Sequence, residues 1–201
     1  MSAPLEILVL FYSHHGSVEK LARKLAQGID SVSGVSARLR TVPKLATVID
    51  APQAAIPATG PPYVELSDLE QCSGLALGSP VRFGNMAAPL KYFIDSTAAQ
   101  WLSGALCGKP AAVFTSSASM HGGQESTLLS MMLPLLHHGM LIVGLPYTEP
   151  GLNETTGGGT PYGASHVTGK ESQIDATVLE ARLAFALGAR LANTALKLAT
   201  P

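Results

Sequence analysis

Short apolar runs alternate with segments of helical periodicity along most of the chain. The run at 7–12 is apolar throughout, as is typical of a strand covered on both faces of a parallel sheet. Apolar runs or alternation predict further strands at 35–41, 74–77, 111–114 and 140–143. Helices are predicted between and after them, at 17–29, from about 67, and at 89–96, 124–138 and 175–198. This alternation favours an α/β fold with right-handed crossovers and a doubly covered parallel sheet.

The first predicted helix has a recognisable start. Apolar residues recur at helical spacing from Val18 to Ile29, and Ser17 just before them is the candidate N-cap. Glu19 stands in the first turn, where the helix dipole favours an anion. The loop after the first strand is therefore expected to lead directly into a helix N-terminus.

A proline-rich segment at about 43–65 interrupts the alternating pattern. It holds five prolines between 43 and 62 and shows little periodicity. Because core elements are predicted on both sides of it, we interpret it as an excursion within one domain spanning 1–201, not as a linker. Such an excursion is a candidate for contacts with a partner.

Composition narrows the function classes. The chain has 201 residues, 46% hydrophobic and 13% charged, with a formal net charge of −1 at pH 7. So little charge favours homo-oligomerisation, which would cover surplus apolar surface. Near-neutral charge, without a Lys/Arg cluster interleaved with aromatics, argues against direct nucleic-acid binding. No run approaches the ~20 apolar residues of a membrane span, and no cationic region precedes the first apolar run, so we predict a cytoplasmic protein without membrane insertion.

The cysteines and two of the histidines have structural interpretations. Cys72 and Cys107 show neither CxxC pairing nor metal-ligand spacing, which favours reduced, buried thiols and no metal site. His138 is interpreted as a structural residue and His166 as a surface residue.

Three polar loops follow three of the predicted strands. They are 13–18, 78–86 and 115–124, and the second of them reads Gly-Ser-Pro-Val-Arg-Phe-Gly-Asn-Met. Glycine lets the backbone approach a flat ligand closely, Pro80 stiffens the turn, and Arg82 with Phe83 adds a cation and a ring. In an open parallel sheet such loops meet beyond the carboxyl ends of the strands, so we expect a ligand-binding crevice there.

The first loop suits a phosphate. It reads Ser-His-His-Gly-Ser at 13–17, with two hydroxyls and successive N–H groups before a helix. GxxxxGK[ST] and GxGxxG are both absent, which leaves a phosphate monoester such as that of FMN. A polar turn that merely caps the helix is the alternative interpretation. A phosphatase is not indicated, since neither cysteine has an arginine at the Cys-x₅-Arg spacing.

Five motifs, in order along nearly the whole chain, resemble the NAD(P)H:quinone oxidoreductases of the tryptophan repressor-binding protein (WrbA) family. They are Arg-Phe-Gly-Asn-Met at 82–86, Ser-Gly-Ala-Leu at 103–106, Gly-Gly-Gln-Glu at 122–125, His-His-Gly-Met at 137–140 and Gly-Gly-Thr-Pro-Tyr-Gly at 158–163. The resemblance implies a flavodoxin-like three-layer sandwich with a five-stranded parallel sheet in the order 2-1-3-4-5. It also implies non-covalent FMN, NADH or NADPH as electron donor, and two-electron quinone reduction by ping-pong hydride transfer.

The resemblance further implies a homotetramer whose neighbouring subunits complete each site, and it assigns residues by position. His137 and Arg82 are the implied catalytic residues, and Trp101 with His15 would contact the nicotinamide and the quinone. Members of the family commonly have tyrosine where this chain has His15. FMN would be bound by Ser13, His14, His15, Gly16, Ser17, Val18, Pro80, Val81, Arg82, Phe83, Gly84, Asn85, Ser116, Ser117, Ala118, Ser119, Gly122 and His137.

Other functions stay open at this point. A flavodoxin-type one-electron carrier shares the expected fold, although a charge of −1 offers no acidic surface for docking on basic partners. A non-catalytic FMN-binding regulatory protein is the alternative from another class. His137 and Trp101 also have structural interpretations without a role in binding. His137 would interact with the C-terminal end of a helix, and Trp101 would be a core residue.

Overall fold

The computed structural model describes residues 4–45, 56–169 and 175–199. Its parallel sheet has the path β2-β1-β3-β4-β5, and a further strand, β6, pairs with β4. This is the strand order of flavodoxins, as predicted, with one strand more. The strands are β1 (Leu5–Phe11), β2 (Val35–Thr41), β3 (Gly74–Pro80), β4 (Pro110–Ser117), β5 (Leu141–Ile142) and β6 (Ala164–Val167).

Helices cover both faces of the sheet. They are α1 (Ser17–Asp30), α2 (Leu66–Gln71), α3 (Ala88–Asp95), α4 (Ala98–Leu102), α5 (Gln124–His137), α6 (Gly151–Glu154) and α7 (Val178–Ala199). One apolar cluster joins the sheet to α1 and α7, and the other joins it to α2, α3 and α5. The central strands are buried from both sides, which explains why the run in β1 is apolar throughout.

Helices α1 and α7 approach unusually closely because two glycines lie at their contact. A Cβ on Gly28 would lie 2.0 Å from the Phe185 carbonyl oxygen, and one on Gly188 would lie 2.0 Å from the Leu25 carbonyl oxygen. Any side chain at either position would therefore force the two helices apart. This close packing fixes α1, whose N-terminus follows the first polar loop.

The outer edge of β4 is covered by two short strands instead of one. The first residues of β4 pair with β5, and Phe114–Ser117 pair with β6. The predicted fifth strand at 140–143 is thus reduced to two residues, and the sixth strand was not predicted. Because β6 lies beside the second half of β4, the residues that follow it reach the carboxyl edge of the sheet.

Several predictions about single elements need correction or lie outside the described residues. Helices α4 and α6 were not predicted, and Cys107 is exposed while Cys72 is buried. The proline-rich segment includes 46–55, which lie outside the described residues. Within the described ranges, none of the helices combines the length and the apolar character that crossing a membrane requires.

Candidate functional site

The three polar loops converge at the carboxyl edge of the sheet around a cavity of about 350 Å³. Of the residues predicted to bind FMN, most line it. They are Ser13, His14, His15, Ser17 and Val18 from the first loop, Pro80, Val81, Arg82 and Phe83 from the second, and Ser116, Ser117, Ala118, Ser119 and Gly122 from the third. We call this cavity the crevice.

The first loop enters α1 through a glycine. Gly16 is the N-cap residue with φ of 87°, and Ser17 is the first helical residue, so the prediction of Ser17 as N-cap was wrong. The left-handed backbone at this point favours glycine, which has no side chain of its own to cap the helix. Ser13 Oγ accepts a hydrogen bond from the Glu19 N–H at 3.4 Å. The other N–H groups of the first turn have no intrahelical partners and are suited to an anion.

The second loop forms a tight turn that presents a ring to solvent. Arg82 and Asn85 exchange backbone hydrogen bonds of 2.8 and 3.0 Å, and Phe83 and Gly84 between them have φ of 51° and 75°. Phe83 is the one non-glycine residue in the described part of the chain with positive φ, and its side chain is fully exposed. A strained backbone that projects an apolar ring is typical of a binding site.

The third loop is held from within by a buried amide. Gln124, at the start of α5, donates from Nε2 to the carbonyl oxygens of Ser119 at 3.1 Å and Met120 at 2.8 Å. Ser117 Oγ donates to the same Ser119 oxygen at 2.8 Å. These bonds fix the loop that lines one wall of the crevice.

Backbone contacts join the loops to one another. The Val81 N–H donates to the Ser116 carbonyl at 2.8 Å, and the Tyr12 N–H donates to the Gly78 carbonyl at 3.0 Å. A Cβ on Gly78 would lie 2.1 Å from the Phe114 ring, so the glycine lets this ring fill the core directly below the crevice. The three loops therefore form one connected surface.

Several basic side chains act on His14 in the first loop. Desolvation lowers the pKa of His14, and the charges of His15, Lys44 and Arg82 lower it further. Burial raises the pKa of Tyr12, with Arg82 acting in the opposite direction. The rings of His14 and His15 meet edge-on, with centroids 4.2 Å apart. His14 is therefore harder to protonate than an ordinary histidine, and Arg82 is the arginine on the crevice wall.

Four of the predicted FMN ligands, Gly16, Gly84, Asn85 and His137, do not line the crevice directly. Gly84 and Asn85 complete the tight turn of the second loop. Gly16 lines a neighbouring cavity of about 520 Å³ between the first loop and residues 57–63, and Ser13 and His14 border both cavities.

His137 and Trp101 lie outside the crevice of their own chain. A Cβ on Gly123, before α5, would lie 3.3 Å from Gly84 Cα, so α5 begins beside the second loop. His137 is its last residue, about 20 Å further along a helix of this length. The Trp101 Nε1–H donates to the His137 carbonyl at 2.8 Å, and both residues line a separate cavity of about 380 Å³. Within one chain the prediction that His137 reaches the ligand is therefore not met.

The cavity beside Trp101 also contains a buried histidine. His138 Nε2 is 2.9 Å from Thr97 Oγ1, and burial lowers the pKa of His138, with His137 adding to the effect. Its Nδ1 is buried without a hydrogen-bond partner. The structural interpretation of His138 agrees with this packing. Trp101 itself is half exposed and thus is not a core residue.

One crevice residue was missed by the sequence analysis. Thr168 follows β6, and its N–H donates to the Ser117 carbonyl at 2.8 Å. The available signal was a short segment bounded by Gly163 and Gly169, which are typical strand limits. The described residues contain no cluster of three His, Cys, Asp or Glu side chains that could hold a metal ion.

A family model and two relatives match this chain over most of its length. A family model described as NADPH-dependent FMN reductase matches residues 6–148. A relative from Solidesulfovibrio magneticus named NAD(P)H dehydrogenase (quinone) is 39% identical over 193 residues, covering 89% of this chain and 95% of the relative. A relative of the same name from Syntrophobacter fumaroxidans is 44% identical over 173 residues, covering 82% of this chain and 84% of the relative.

Solved structures give the same fold. The chain is similar to a flavodoxin, WrbA-like protein from Agrobacterium tumefaciens, with a TM-score of 0.67 and 22% identity over 96% of this chain and 98% of that one. It is also similar to a flavodoxin from the domain Archaea, with a TM-score of 0.64 and 18% identity over 96% of this chain and 99% of that one.

Proposed function

Because this chain belongs to the NADPH-dependent FMN reductase family, we propose that it is an FMN-dependent NAD(P)H:quinone oxidoreductase. Two relatives with 39% and 44% identity carry the name NAD(P)H dehydrogenase (quinone). The observation that carries the proposal is the crevice, in which a loop at a helix N-terminus faces two loops suited to a flat ring. Membership of the WrbA group and a cytoplasmic location are the finer parts of this proposal, and the five motifs support the first of them.

The crevice residues fit FMN. The volume of about 350 Å³ falls in the usual range of ligand pockets, ~300 to 1,000 Å³. On one side, the N-terminus of α1 and the hydroxyls of Ser13 and Ser17 offer donors for a phosphate monoester. On the other side, Pro80, Val81 and Ala118 offer apolar surface for a ring system. The absence of a lysine from the first loop is compatible with one phosphate bound by N–H groups.

When bound, FMN supplies the two-electron transfer between NAD(P)H and quinone, and the protein supplies binding, orientation and electrostatics. Arg82 places a positive charge on the crevice wall, which favours electron-rich and anionic groups there. Phe83 extends from the turn as an apolar surface against which either substrate can pack. Because one open side of the crevice would serve both substrates in turn, we expect ping-pong kinetics.

The proposed homotetramer contact uses the outer sides of α3, α4 and α5. We call this surface the α3–α5 face. Its exposed apolar residues are Tyr92, Trp101, Leu102, Leu129, Leu133, Leu136 and, after α5, Leu141. So many large apolar side chains on one surface are typical of a protein interface. The low charge of the chain, noted from its composition, favours the same conclusion.

In this tetramer, Trp101 and His137 would serve the crevice of a neighbouring copy. Both residues are exposed and lie about one helix length from their own crevice. The hydrogen bond from Trp101 to the His137 carbonyl holds the pair together. Their predicted roles at the nicotinamide and quinone thus depend on assembly, and light scattering that shows a fully active monomer would contradict this part of the proposal.

The first experiment records the visible absorption of the FMN-loaded protein during anaerobic addition of NADH or NADPH, then of benzoquinone. We expect flavin bleaching in a single two-electron stage and recovery of the absorption with quinone. The same titration with free FMN at equal concentration is the control. Absence of bleaching would contradict the reductase, and reduction in two separate one-electron stages would favour the electron carrier.

A further inference from the structure

A buried carboxylate outside the crevice joins three segments of the chain. Glu180 lies in the first turn of α7 and is 1% exposed. Its Oε1 accepts from the N–H groups of Gly158 at 2.8 Å and Val167 at 2.9 Å. Its Oε2 accepts from the Thr177 N–H at 2.7 Å and lies 2.9 Å from His166 Nδ1. We call these five residues the Glu180 cluster.

Capping of α7 explains only part of this arrangement. Thr177 Oγ1 accepts from the Glu180 N–H at 3.1 Å while Glu180 accepts from the Thr177 N–H, which is a reciprocal capping box. A capping box needs neither Gly158 nor Val167. The bonds to these two residues instead tie α7 to the glycine-rich loop and to β6.

The glycine-rich motif is shaped by the same carboxylate. A Cβ on Gly158 would lie 2.5 Å from Glu180 Oε1 and 2.2 Å from the Ser165 carbonyl oxygen. Next to it, the Gly159 N–H donates to Ser165 Oγ at 2.7 Å. Only glycine at 158 therefore lets the loop come this close to both Glu180 and β6. This gives a physical reason for a motif that the proposed function leaves without a role.

The cluster is connected to the crevice through β6. His166 pairs with Ser116 and Val167 with Ser117 in the parallel ladder. Beyond the ladder, Thr168 donates from its N–H to the Ser117 carbonyl at 2.8 Å and from Oγ1 to the same oxygen at 3.2 Å. Ser116, Ser117 and Thr168 all line the crevice. Strand β6 thus connects Glu180 to the part of the crevice wall formed by Ser116, Ser117 and Thr168.

His166 is part of this connection and not a surface residue. It is 2% exposed, which corrects the interpretation made from the sequence. Lone buried histidines are costly unless they are paired, and here Glu180 is the partner. The imidazole therefore gives β6 a second attachment to α7, directly beside the strand residue Ser116.

From these contacts we propose that Glu180 is a positioning residue for the cofactor: it holds β6, and through β6 the wall formed by Ser116, Ser117 and Thr168, in the arrangement that binds FMN. This inference rests on the proposed function for the identity of the ligand. The contacts from Glu180 to β6 are independent of that identity, because they are seen in the chain itself.

The charge state of Glu180 agrees with this role. Burial by itself raises the pKa of Glu180, but hydrogen bonds from His166 and from the N–H groups of Val167, Thr177 and Gly158 lower it to about 2. The titratable group in direct contact with it is the imidazole of His166, which in turn interacts electrostatically with Asp175. The lowered pKa favours the ionised carboxylate, whose two oxygens accept the hydrogen bonds from Gly158, Val167 and Thr177.

The test compares two variants with the wild-type chain, and a third variant at His166 supports them. Glu180→Gln keeps the shape of the side chain but leaves one carbonyl oxygen in place of two carboxylate oxygens. Thr177→Ala removes the hydroxyl that caps α7 and leaves the bonds from Glu180 to Gly158 and Val167 in place. Both variants are expected to lower the melting temperature, which makes Thr177→Ala the control for a purely structural effect.

The first readout is the dissociation constant for FMN, measured by quenching of flavin fluorescence. We expect Glu180→Gln to weaken binding roughly tenfold and Thr177→Ala to change it less than twofold. His166→Gln, which keeps the carboxylate and removes its imidazole partner, is expected to weaken binding about threefold. It also serves as the variant to measure if Glu180→Gln does not fold. Equal FMN affinity in the wild type, in Glu180→Gln and in His166→Gln would overturn the inference.

The second readout is amide hydrogen exchange in the FMN-free chain. We expect faster exchange at Val167 and Thr168 in Glu180→Gln than in Thr177→Ala. If the wild type binds no FMN, the proposed function fails, and exchange still decides whether Glu180 holds this wall. Unchanged exchange at both amides would overturn the positioning role even if FMN binds.

Discussion

The crevice and the α3–α5 face differ in how complete they are within one chain. The crevice is assembled from three loops of the same chain that are hydrogen-bonded to one another. The face carries Trp101 and His137, yet offers them only a shallow cavity among exposed apolar side chains. Under the proposed function, one chain would therefore provide the cofactor site by itself but only one part of the substrate site.

This difference follows from the kinds of groups involved. The crevice presents N–H groups, hydroxyls and one cation, which bind a small polar ligand without further protein. The face presents large apolar groups, whose exposure is relieved by contact with another apolar surface. Changes in the crevice should consequently alter cofactor binding, whereas changes in the face should alter assembly.

The largest effect is expected from Trp101→Ala on the face. Because exposed aromatic anchors contribute most at interfaces, self-association should weaken about 30-fold or more. FMN affinity should stay within twofold of the wild type, since the crevice belongs to one chain. Sedimentation or light scattering over a concentration series measures the first quantity. Tyr147→Ala, another exposed aromatic outside the face, is the control. If Trp101→Ala self-associates as strongly as the wild type, Trp101 does not contribute to the contact between copies.

A smaller effect is expected from Gly16→Ala, at the residue that precedes α1 next to the crevice. Gly16 and Gly108 both have positive φ, 87° and 73°, and a Cβ on either would have no heavy atom within 4 Å. Alanine at either position should destabilise the fold by about 1 to 2 kcal/mol through backbone strain alone. Only Gly16→Ala should also weaken FMN binding, by roughly tenfold.

Thermal unfolding and FMN titration of both glycine variants measure this contrast. Equal FMN affinity in Gly16→Ala and Gly108→Ala would show that the left-handed residue before α1 has no part in binding phosphate.

Arg82→Gln should have a moderate effect on the reaction. A partly exposed charge contributes up to ~1 kcal/mol, so the rate of cofactor reduction by NAD(P)H should fall about fivefold. Arg190→Gln, at an exposed arginine on α7, is the matched control. Stopped-flow absorption measures the rate and a redox titration measures the potential. If neither quantity changes, Arg82 does not act on the cofactor.

The smallest expected effect is a dependence of FMN affinity on pH through His14. Desolvation and nearby cations hold the pKa of His14 below its ordinary value in the free chain, and a bound phosphate dianion would raise it again. Binding would therefore take up a proton, and FMN affinity should rise a few-fold as pH falls through the pKa of the bound form. His14→Asn separates this effect from titration of the phosphate itself. The same pH dependence in both proteins would exclude His14.

Much of the crevice could be predicted because its signals are local. The apolar run of β1 and the three loops each lie within a short stretch of chain, and strand order then brings them together. The N-cap was misassigned because serine is usually preferred there, whereas the backbone before α1 is left-handed and takes Gly16. The distance between His137 and the crevice was hidden because a motif does not show at which end of a helix the ligand lies.

The missed elements depend on contacts between distant residues. Strand β6 has four residues, and its His166 is buried only because Glu180, fourteen residues later, pairs with it. Polar residues in a short segment look like a surface loop until that partner is known. Thr168 was missed as a crevice residue for the same reason.

The divided edge of the sheet has a consequence for how copies of the chain associate. A long, uncovered edge strand offers a row of backbone groups to which another chain can add a strand, and this is a route to aggregation. Here the edge beyond β4 consists of two residues in β5 and four in β6, separated by more than twenty residues that leave the sheet. Neither piece is long enough to act as a template for strand addition. Strand addition at this edge of the sheet is thus disfavoured, which is compatible with the proposed contact between copies through the α3–α5 face.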